Sequence, residues 1–143
     1  MNEFASIRYN LVEIEKLKEH EEVDPRHLNE LREEIESDGV LKKPIVADQN
    51  THIILDGHHR VNALRELGCK KIPVVFVDYW SPNIKVLSWK TGEIIDKETI
   101  VENVLNGMKL PPKTTKHLIA VDGKFVHISE IEKDVNISLE ELR

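Results

Sequence analysis

Residues 52–68, HIILDGHHRVNALRELG, place a polar turn directly between an apolar run and a helical pattern. The apolar run Ile-Ile-Leu is short and rich in β-branched side chains, which predicts a strand. Val61, Leu64 and Leu67 then recur at the spacing of one helical face, and a helix-ending glycine follows. The stretch therefore predicts a strand, a turn at Asp56–Arg60 and a helix in immediate succession.

This turn has the features of a phosphate-binding segment. Gly57 permits a positive φ and the close approach of a ligand. The free N–H groups of a helix that begins near His58 carry a partial positive charge that suits phosphate, and Arg60 adds a planar fork of donors. Asp56 could hold Mg²⁺ or orient a histidine. From the residues alone, an ordinary strand-to-helix turn capped by Asp56 explains the pattern equally well.

Helix and strand signals alternate along the rest of the chain. Asp24-Pro25 opens a helix, because aspartate caps well and proline is tolerated at the first helical position, and Asp38-Gly39 ends it. Asp96 caps a later helix whose apolar side should carry Ile100, Val101, Val104, Leu105 and Met108. Strands are predicted at residues 8–12, 44–47, 52–55, 72–77, 84–89, 118–121 and 124–128, the last two joined by the hairpin turn Asp122-Gly123.

This order mixes hairpins with helices, which predicts an α+β fold with a mixed sheet. A length of 143 residues favours one compact domain. We expect its core to lie within residues 7–128, with a polar loop at residues 113–117 and a charged tail at residues 129–143.

Composition excludes several classes of protein. The formal charge of −6 argues against a general DNA or RNA binder. Cys69 is the single cysteine, so no intrachain disulfide forms, and the histidines lack zinc-ligand spacing. No P-loop motif, signal peptide or membrane-length apolar run occurs in the sequence. A soluble cytoplasmic protein with neither nucleic-acid nor membrane partners is expected.

The turn and its helix, residues 56–68, resemble the loop and helix of the ParB/sulfiredoxin superfamily. Residues 31–45 resemble the helix, loop and strand that precede them there, so the likeness covers about residues 7–80. The superfamily includes several activities, and individual residues separate its branches.

Two branches of that superfamily fit poorly. His58 stands where sulfiredoxins have their catalytic cysteine, and Cys69 lies a helix away, so we expect Cys69 to be dispensable. Chromosome-partitioning ParB proteins have Gly-Glu-Arg-Arg at this turn, followed by a DNA-binding module that this sequence lacks. The run Asp-Gly-His-His-Arg instead resembles the archaeal free L-serine kinases.

Distant segments support this resemblance. His20-Glu21 resembles the His-Glu pair of those kinases, whose glutamate is the proposed base, and residues 84–89 resemble the strand whose tryptophan lines the serine pocket. Residues 112–117, PKTTKH, resemble their Pro-Lys-Thr-Thr-Arg-His segment, with Lys116 in place of the usual arginine. Longer members insert a large segment between the tryptophan and this loop, whereas here about two dozen residues separate Trp89 from Lys113.

The resemblance implies a kinase that transfers a phosphoryl group from ADP or ATP, with Mg²⁺, to free L-serine. It implies that Glu21 accepts the hydroxyl proton and that Asp56 positions Mg²⁺ or the turn. The implied donor-phosphate contacts are Gly57, His58, His59 and Arg60. The implied serine contacts are Ser37, Trp89, Lys113, Thr114, Thr115 and His117. His27, His52 and His127 are interpreted as structural.

Two other functions stay open. The domain could bind a nucleotide as a regulatory module without turnover, or act as a ParB-like nuclease, which the negative charge disfavours. The choice of ADP or ATP as donor, and of serine, threonine or homoserine as acceptor, is also open.

Overall fold

The computed structural model describes residues 8–143. Its strands are β1 (Asn10–Glu13), β2 (Val40–Leu41), β3 (Ile45–Asp48), β4 (Ile54–Asp56), β5 (Lys71–Val77), β6 (Ile84–Ser88), β7 (Thr115–Val121), β8 (Lys124–His127) and β9 (Ile137–Ser138). Its α-helices are α1 (Pro25–Asp38), α2 (His58–Glu66), α3 (Lys97–Leu105) and α4 (Leu139–Leu142). None of the helices in this range is long and apolar enough to cross a membrane.

The central sheet has the strand order β1-β5-β3-β4. Strands β3 and β5 are parallel, whereas β1 and β4 join antiparallel. Strands β6, β7 and β8 form a separate antiparallel sheet, and β2 pairs with β9. The predicted α+β class with a mixed sheet is therefore confirmed.

The side chains of the central strands point alternately to the two faces of the sheet, and each face has its own hydrophobic core. Ile45 and Ala47 on β3 face one core, together with the apolar side of helices α1 and α2, whereas Val46 faces the other. The second core lies toward the three-stranded sheet and includes Ile84 and Ile119. Because strand side chains alternate in direction, the continuous apolar runs of the sequence belong to strands buried on both faces.

Helix α1 begins and ends as its sequence signals predict. The Asp24 side chain accepts a hydrogen bond from the N–H of Arg26 at 3.0 Å, and Pro25 occupies the first helical position. Gly39 ends the helix with a φ of 71°. The helix therefore has a defined end, and β2 begins in the residue that follows Gly39.

Gly57 lies against strand β3 and starts α2. Its φ is 114°, and a Cβ atom at this position would lie 2.3 Å from Cγ2 of Ile45. A side chain there would need both a strained backbone and displacement of a fully buried strand residue. Glycine therefore allows the start of α2 to pack directly on the sheet.

Two local expectations are corrected. Residues 115–117 were predicted as loop but belong to β7, which begins at Thr115 and pairs with β6 through Ser88. The predicted apolar side of α3 includes buried Ile100, but Leu105 is 73% exposed and lies at the last position of the helix. Met108 lies beyond the helix and is also exposed, since Gly107 turns the chain with a positive φ.

The expectation that residues 129–143 form a charged tail outside the core is also wrong. Ile131, Ile137, Leu139 and Leu142 are buried, and β9 pairs with β2. The N–H of Lys70 donates to the carbonyl of Leu142 at 2.8 Å. The core thus extends through the C-terminal segment, whose apolar residues are spaced between its charges.

We expect Gly57→Ala to destabilise the protein more than Gly39→Ala does. Both positions have positive φ, which costs alanine about 1–2 kcal/mol, but only Gly57 adds a steric conflict, because nothing lies within 4 Å of a Cβ at Gly39. Urea unfolding of the two variants measures the difference. Equal losses of unfolding free energy would contradict the close packing on Ile45.

We expect Leu142→Ala to lower the free energy of unfolding by about 2 kcal/mol or more, because its side chain is fully buried. Glu140→Ala, at an exposed position two residues earlier in α4, should change it by less than about 0.5 kcal/mol. A Leu142→Ala protein as stable as wild type would restore the expectation of a charged tail outside the core.

Candidate active site

A cavity of about 460 Å³ opens between the start of α2, the segment around Glu21 and strand β7. It brings together residues that lie far apart in the sequence. Of the predicted site residues it is lined by Glu21, Asp56, Gly57, His58, His59, Arg60, Trp89, Lys113, Thr115 and His117. The start of α2 is suited to an anion, because its first backbone hydrogen bond is donated by Val61 to Gly57, which leaves the N–H groups of residues 58–60 outside the helical ladder.

Glu21 is held on the opposite wall by strand β7. The N–H of Thr115 donates to Oε1 of Glu21 at 2.7 Å, and the Thr115 hydroxyl donates to the same oxygen. Burial raises the pKa of Glu21, while hydrogen bonds from Thr115 and from the N–H groups of Lys113 and Thr114 oppose the rise. A partly buried carboxylate with a raised pKa is well suited to accept a proton near neutral pH.

Three buried histidines pack behind this wall. The ring of His20 lies 4.7 Å from the ring of His58 and 5.5 Å from that of His117, centroid to centroid. Burial lowers the pKa of all three, that of His20 to about 4, so the rings are neutral at neutral pH. His58 Nε2 accepts a hydrogen bond from the backbone N–H of His20 at 3.2 Å, and His117 Nε2 lies 3.1 Å from the Tyr79 hydroxyl. These contacts fix the walls of the cavity.

Arg60 departs from its expected orientation. Its Nη1 lies 3.0 Å from Oε1 of Glu132 and its Nη2 lies 3.0 Å from Oδ2 of Asp56, and the carbonyl of Pro44 accepts a further hydrogen bond. The fork of donors predicted for phosphate is therefore occupied by protein groups. Burial raises the pKa of Glu132 to about 9, and the neighbouring Asp56 adds to the rise. Arg60 fixes the turn through the C-terminal segment.

Glu132 is not among the predicted site residues, because residues 129–143 are expected to form a charged tail. Glu132 is nonetheless 4% exposed. Its neighbours Ile128 and Ile131 are buried in the second core. These two apolar residues were the signal that could have placed Glu132 inside the fold.

Two histidines interpreted as structural also line the cavity. His27, on α1, stacks on His59 with ring centroids 4.1 Å apart, and His127 forms part of the opposite rim. His59 Nε2 accepts a hydrogen bond from the N–H of Asp24 at 3.0 Å. Burial and the nearby His27 lower the pKa of His59. The start of α1 is thereby tied to the start of α2.

Trp89 and Lys113 complete the outer rim. The Trp89 side chain is 49% exposed, and the ammonium of Lys116 lies 4.7 Å from its ring. Lys113 has a φ of 55° where the chain turns into β7, and the residue lines the cavity. The rim therefore combines an aromatic wall with a cation.

Ser37 and Thr114 lie outside the cavity, unlike the other predicted site residues. Ser37 is exposed on α1, two residues beyond the buried Ile35, so it faces solvent. The Thr114 hydroxyl donates to the carbonyl of Pro111 at 2.6 Å, which stabilises the loop before β7.

Within residues 8–143, no three His, Cys, Asp or Glu side chains cluster in a way that could hold a metal ion. Asp56 is the carboxylate of the turn that lines the cavity, and Arg60 lies 3.0 Å from one of its oxygens, Oδ2. Mg²⁺ in phosphoryl-transfer sites is commonly held by one or two carboxylates together with phosphate oxygens. Asp56 therefore fits a Mg²⁺ ion that arrives with a nucleotide.

The chain is similar in sequence to curated kinases. The chain is 36% identical over 98 residues to an ATP-dependent L-serine kinase of Staphylothermus marinus, a match that covers 66% of this chain and 39% of that protein. It is 32% identical over 102 residues to an ADP-dependent L-serine kinase of Thermococcus kodakarensis, covering 68% of this chain and 42% of that protein. The chain thus spans about two fifths of the length of these relatives.

A solved structure of a free serine kinase in complex with AMP has the same fold. It superposes with a TM-score of 0.79 at 19% identity, covering 96% of this chain and 94% of that one. Residues 1–87 match the ParB N-terminal domain family, and this range contains both the Glu21 segment and the Asp56–Arg60 turn. The chain belongs to the ParB N-terminal domain family.

Proposed function

We propose that this chain transfers a phosphoryl group from ATP or ADP to the hydroxyl of free L-serine, giving O-phospho-L-serine. The observation that carries the proposal is a partly buried carboxylate, Glu21, in the same cavity as a glycine turn and a free helix N-terminus. Phosphoryl transfer requires positioning and neutralisation of charge more than covalent chemistry, and this cavity supplies both. The curated kinases that the chain resembles support the choice of serine as acceptor.

The donor phosphates bind at the turn in this proposal. The N–H groups at the start of α2 donate to phosphate oxygens, and Gly57 lets this end of the helix pack directly on Ile45. Asp56 would hold Mg²⁺, which neutralises charge on the phosphates when bound. Arg60 acts by holding the turn in place, since its guanidinium is bound to Glu132 and Asp56.

The nucleoside fits a second cavity of about 340 Å³ on the other side of Asp56 and Arg60. Leu31, Ile35 and Leu41 supply an apolar wall that suits a purine base. Leu31 lines both cavities, as do Asp56 and Arg60, so one nucleotide can extend across the turn. The split between ATP- and ADP-dependent relatives leaves both donors within the proposal.

Serine occupies the first cavity with its hydroxyl toward Glu21. Glu21 accepts the hydroxyl proton as the new O–P bond forms and the bond to the leaving phosphate breaks. Lys113 binds the serine carboxylate at the rim, and Trp89 closes the outer wall. His117, which is buried and bonded to Tyr79, shapes the floor.

Nucleotide binding without turnover is the competing function, since the chain spans about two fifths of the kinases it resembles. That function predicts nucleotide affinity that is indifferent to serine and to Glu21. Kinetic measurements with and without serine, in wild type and in a Glu21 variant, therefore separate this function from serine phosphorylation.

We expect Glu21→Gln to lower kcat by at least about a hundredfold, with KM for serine and for nucleotide nearly unchanged, because glutamine keeps the shape but cannot accept the proton. Steady-state kinetics measure the effect. Glu22→Gln, the adjacent acidic residue, is the matched control and should retain wild-type activity. Equal losses in both variants would remove Glu21 from the reaction.

We expect Lys113→Ala to raise KM for serine about tenfold or more and to leave KM for nucleotide unchanged, because a charged hydrogen bond contributes about 1.5–3 kcal/mol. Lys124→Ala, on the exposed end of β8, is the control for a general loss of positive charge. A rise in KM for nucleotide instead would assign the Lys113 loop to the donor.

A further inference from the structure

The hydroxyl of Thr115 lies between two side chains of the 20–21 segment. It donates to Oε1 of Glu21, and its oxygen lies 3.0 Å from Nε2 of His20. A hydroxyl has one proton to give, so donation to an ionised Glu21 leaves the Thr115 oxygen to accept from His20. The three groups therefore form one chain of hydrogen bonds that ends on the carboxylate.

The protonation and burial of His20 are consistent with this series of hydrogen bonds. His20 is 1% exposed and absent from the cavity lining, so it does not contact a substrate. A proton on Nε2 leaves Nδ1 as a bare acceptor, and among the described residues Nδ1 has no hydrogen-bond partner. Burial lowers the pKa of the ring to about 4, which keeps it neutral. His20 therefore orients the Thr115 hydroxyl without adding charge beside Glu21.

We propose that Thr115 and His20 are positioning residues that hold Glu21 in its ionised, proton-accepting state, and that the Thr115 hydroxyl contacts Glu21 rather than serine. This inference rests on the proposed function of Glu21 as base. The resemblance implies that Thr115 contacts serine, whereas in this proposal Thr115 supports the base, Glu21.

Several groups face the Glu21 carboxylate and set its titration. His20 Nε2 lies 3.9 Å away on the same segment. Lys113 and His117 face the cavity from β7 and its loop, and His58 and His59 face it from α2. The histidines have lowered pKa values and are neutral near pH 7, so they add no positive charge beside Glu21. The hydrogen bonds from Thr115 lower the pKa of Glu21 and favour its ionised form.

The sign of the pH effect follows from these contacts. Burial raises the pKa of Glu21 and the Thr115 hydroxyl lowers it. Removing the hydroxyl should therefore raise the pKa further, so that Glu21 becomes protonated, and unable to act as a base, at a higher pH. The acid limb of the pH profile of kcat/KM for serine should move upward by about one to two pH units, the equivalent of one hydrogen bond to a charged group.

Thr115→Val and Thr115→Ser test this shift. Valine removes the hydroxyl and keeps the backbone N–H and the shape, so its acid limb should move upward and its activity should recover at high pH. Serine restores the hydroxyl and should restore the wild-type limb. Thr115→Ala, which cannot introduce a clash, replaces valine if that variant does not fold. Thr99→Val, on the exposed side of α3, is the matched control.

A direct contact between Thr115 and serine predicts a different result. KM for serine would then rise at every pH while the acid limb stayed in place, and this result would overturn the inference. A carbon-13 NMR titration of the Glu21 carboxyl, assigned with Glu21→Gln and measured without substrates, separates this test from the proposed function. A Glu21 pKa that is the same in Thr115→Val as in wild type would overturn the inference even if the chain phosphorylates serine, and a raised pKa would support it even if the chain does not.

Discussion

The close packing of Gly57 on Ile45 is the constraint from which the site follows. Because no side chain separates this residue from strand β3, helix α2 begins at the edge of the sheet, with its free N–H groups at the cavity. The same approach brings Arg60 within reach of Glu132 on the C-terminal segment. A larger residue at position 57 would displace the start of the helix and the contacts of Arg60 with Asp56 and Glu132 that support it.

The second wall of the site depends on pairing between distant segments. The backbone of His20 and Glu22 hydrogen-bonds to that of Leu110, which fixes the segment that carries Glu21 beside the start of β7. Strand β7 then presents Thr115 and His117 on its buried side, because alternate residues of a strand point in the same direction. The Glu21 carboxylate and the Thr115 hydroxyl thus meet although 94 residues separate them in the sequence.

Local signals were enough to predict much of this architecture. The cap at Asp24, the turn at Gly57 and the hairpin at Asp122-Gly123 depend on a few adjacent residues, and each occurs as predicted. The predictions were wrong where tertiary contacts decide the structure. Residues 115–117 are a strand and not a loop because they pair with β6. The C-terminal segment belongs to the core because β9 pairs with β2. The role of Glu132 depends on that long-range packing, although the apolar Ile128 and Ile131 beside it indicate that this segment enters the fold. Likewise, the resemblance implies that Ser37 contacts serine, but Ser37 lies on the solvent-facing side of α1, outside the cavity.

The most direct test of this account is the detection of O-phosphoserine. The purified chain is incubated with Mg²⁺ and either ATP or ADP, with and without L-serine, and with L-threonine or L-homoserine in parallel, and phosphoamino acids are measured by mass spectrometry. The account predicts O-phospho-L-serine in the presence of serine and at least one of the two nucleotides, and none when either substrate is omitted. Nucleotide binding without any phosphoamino acid, under conditions in which the protein is folded, would contradict it.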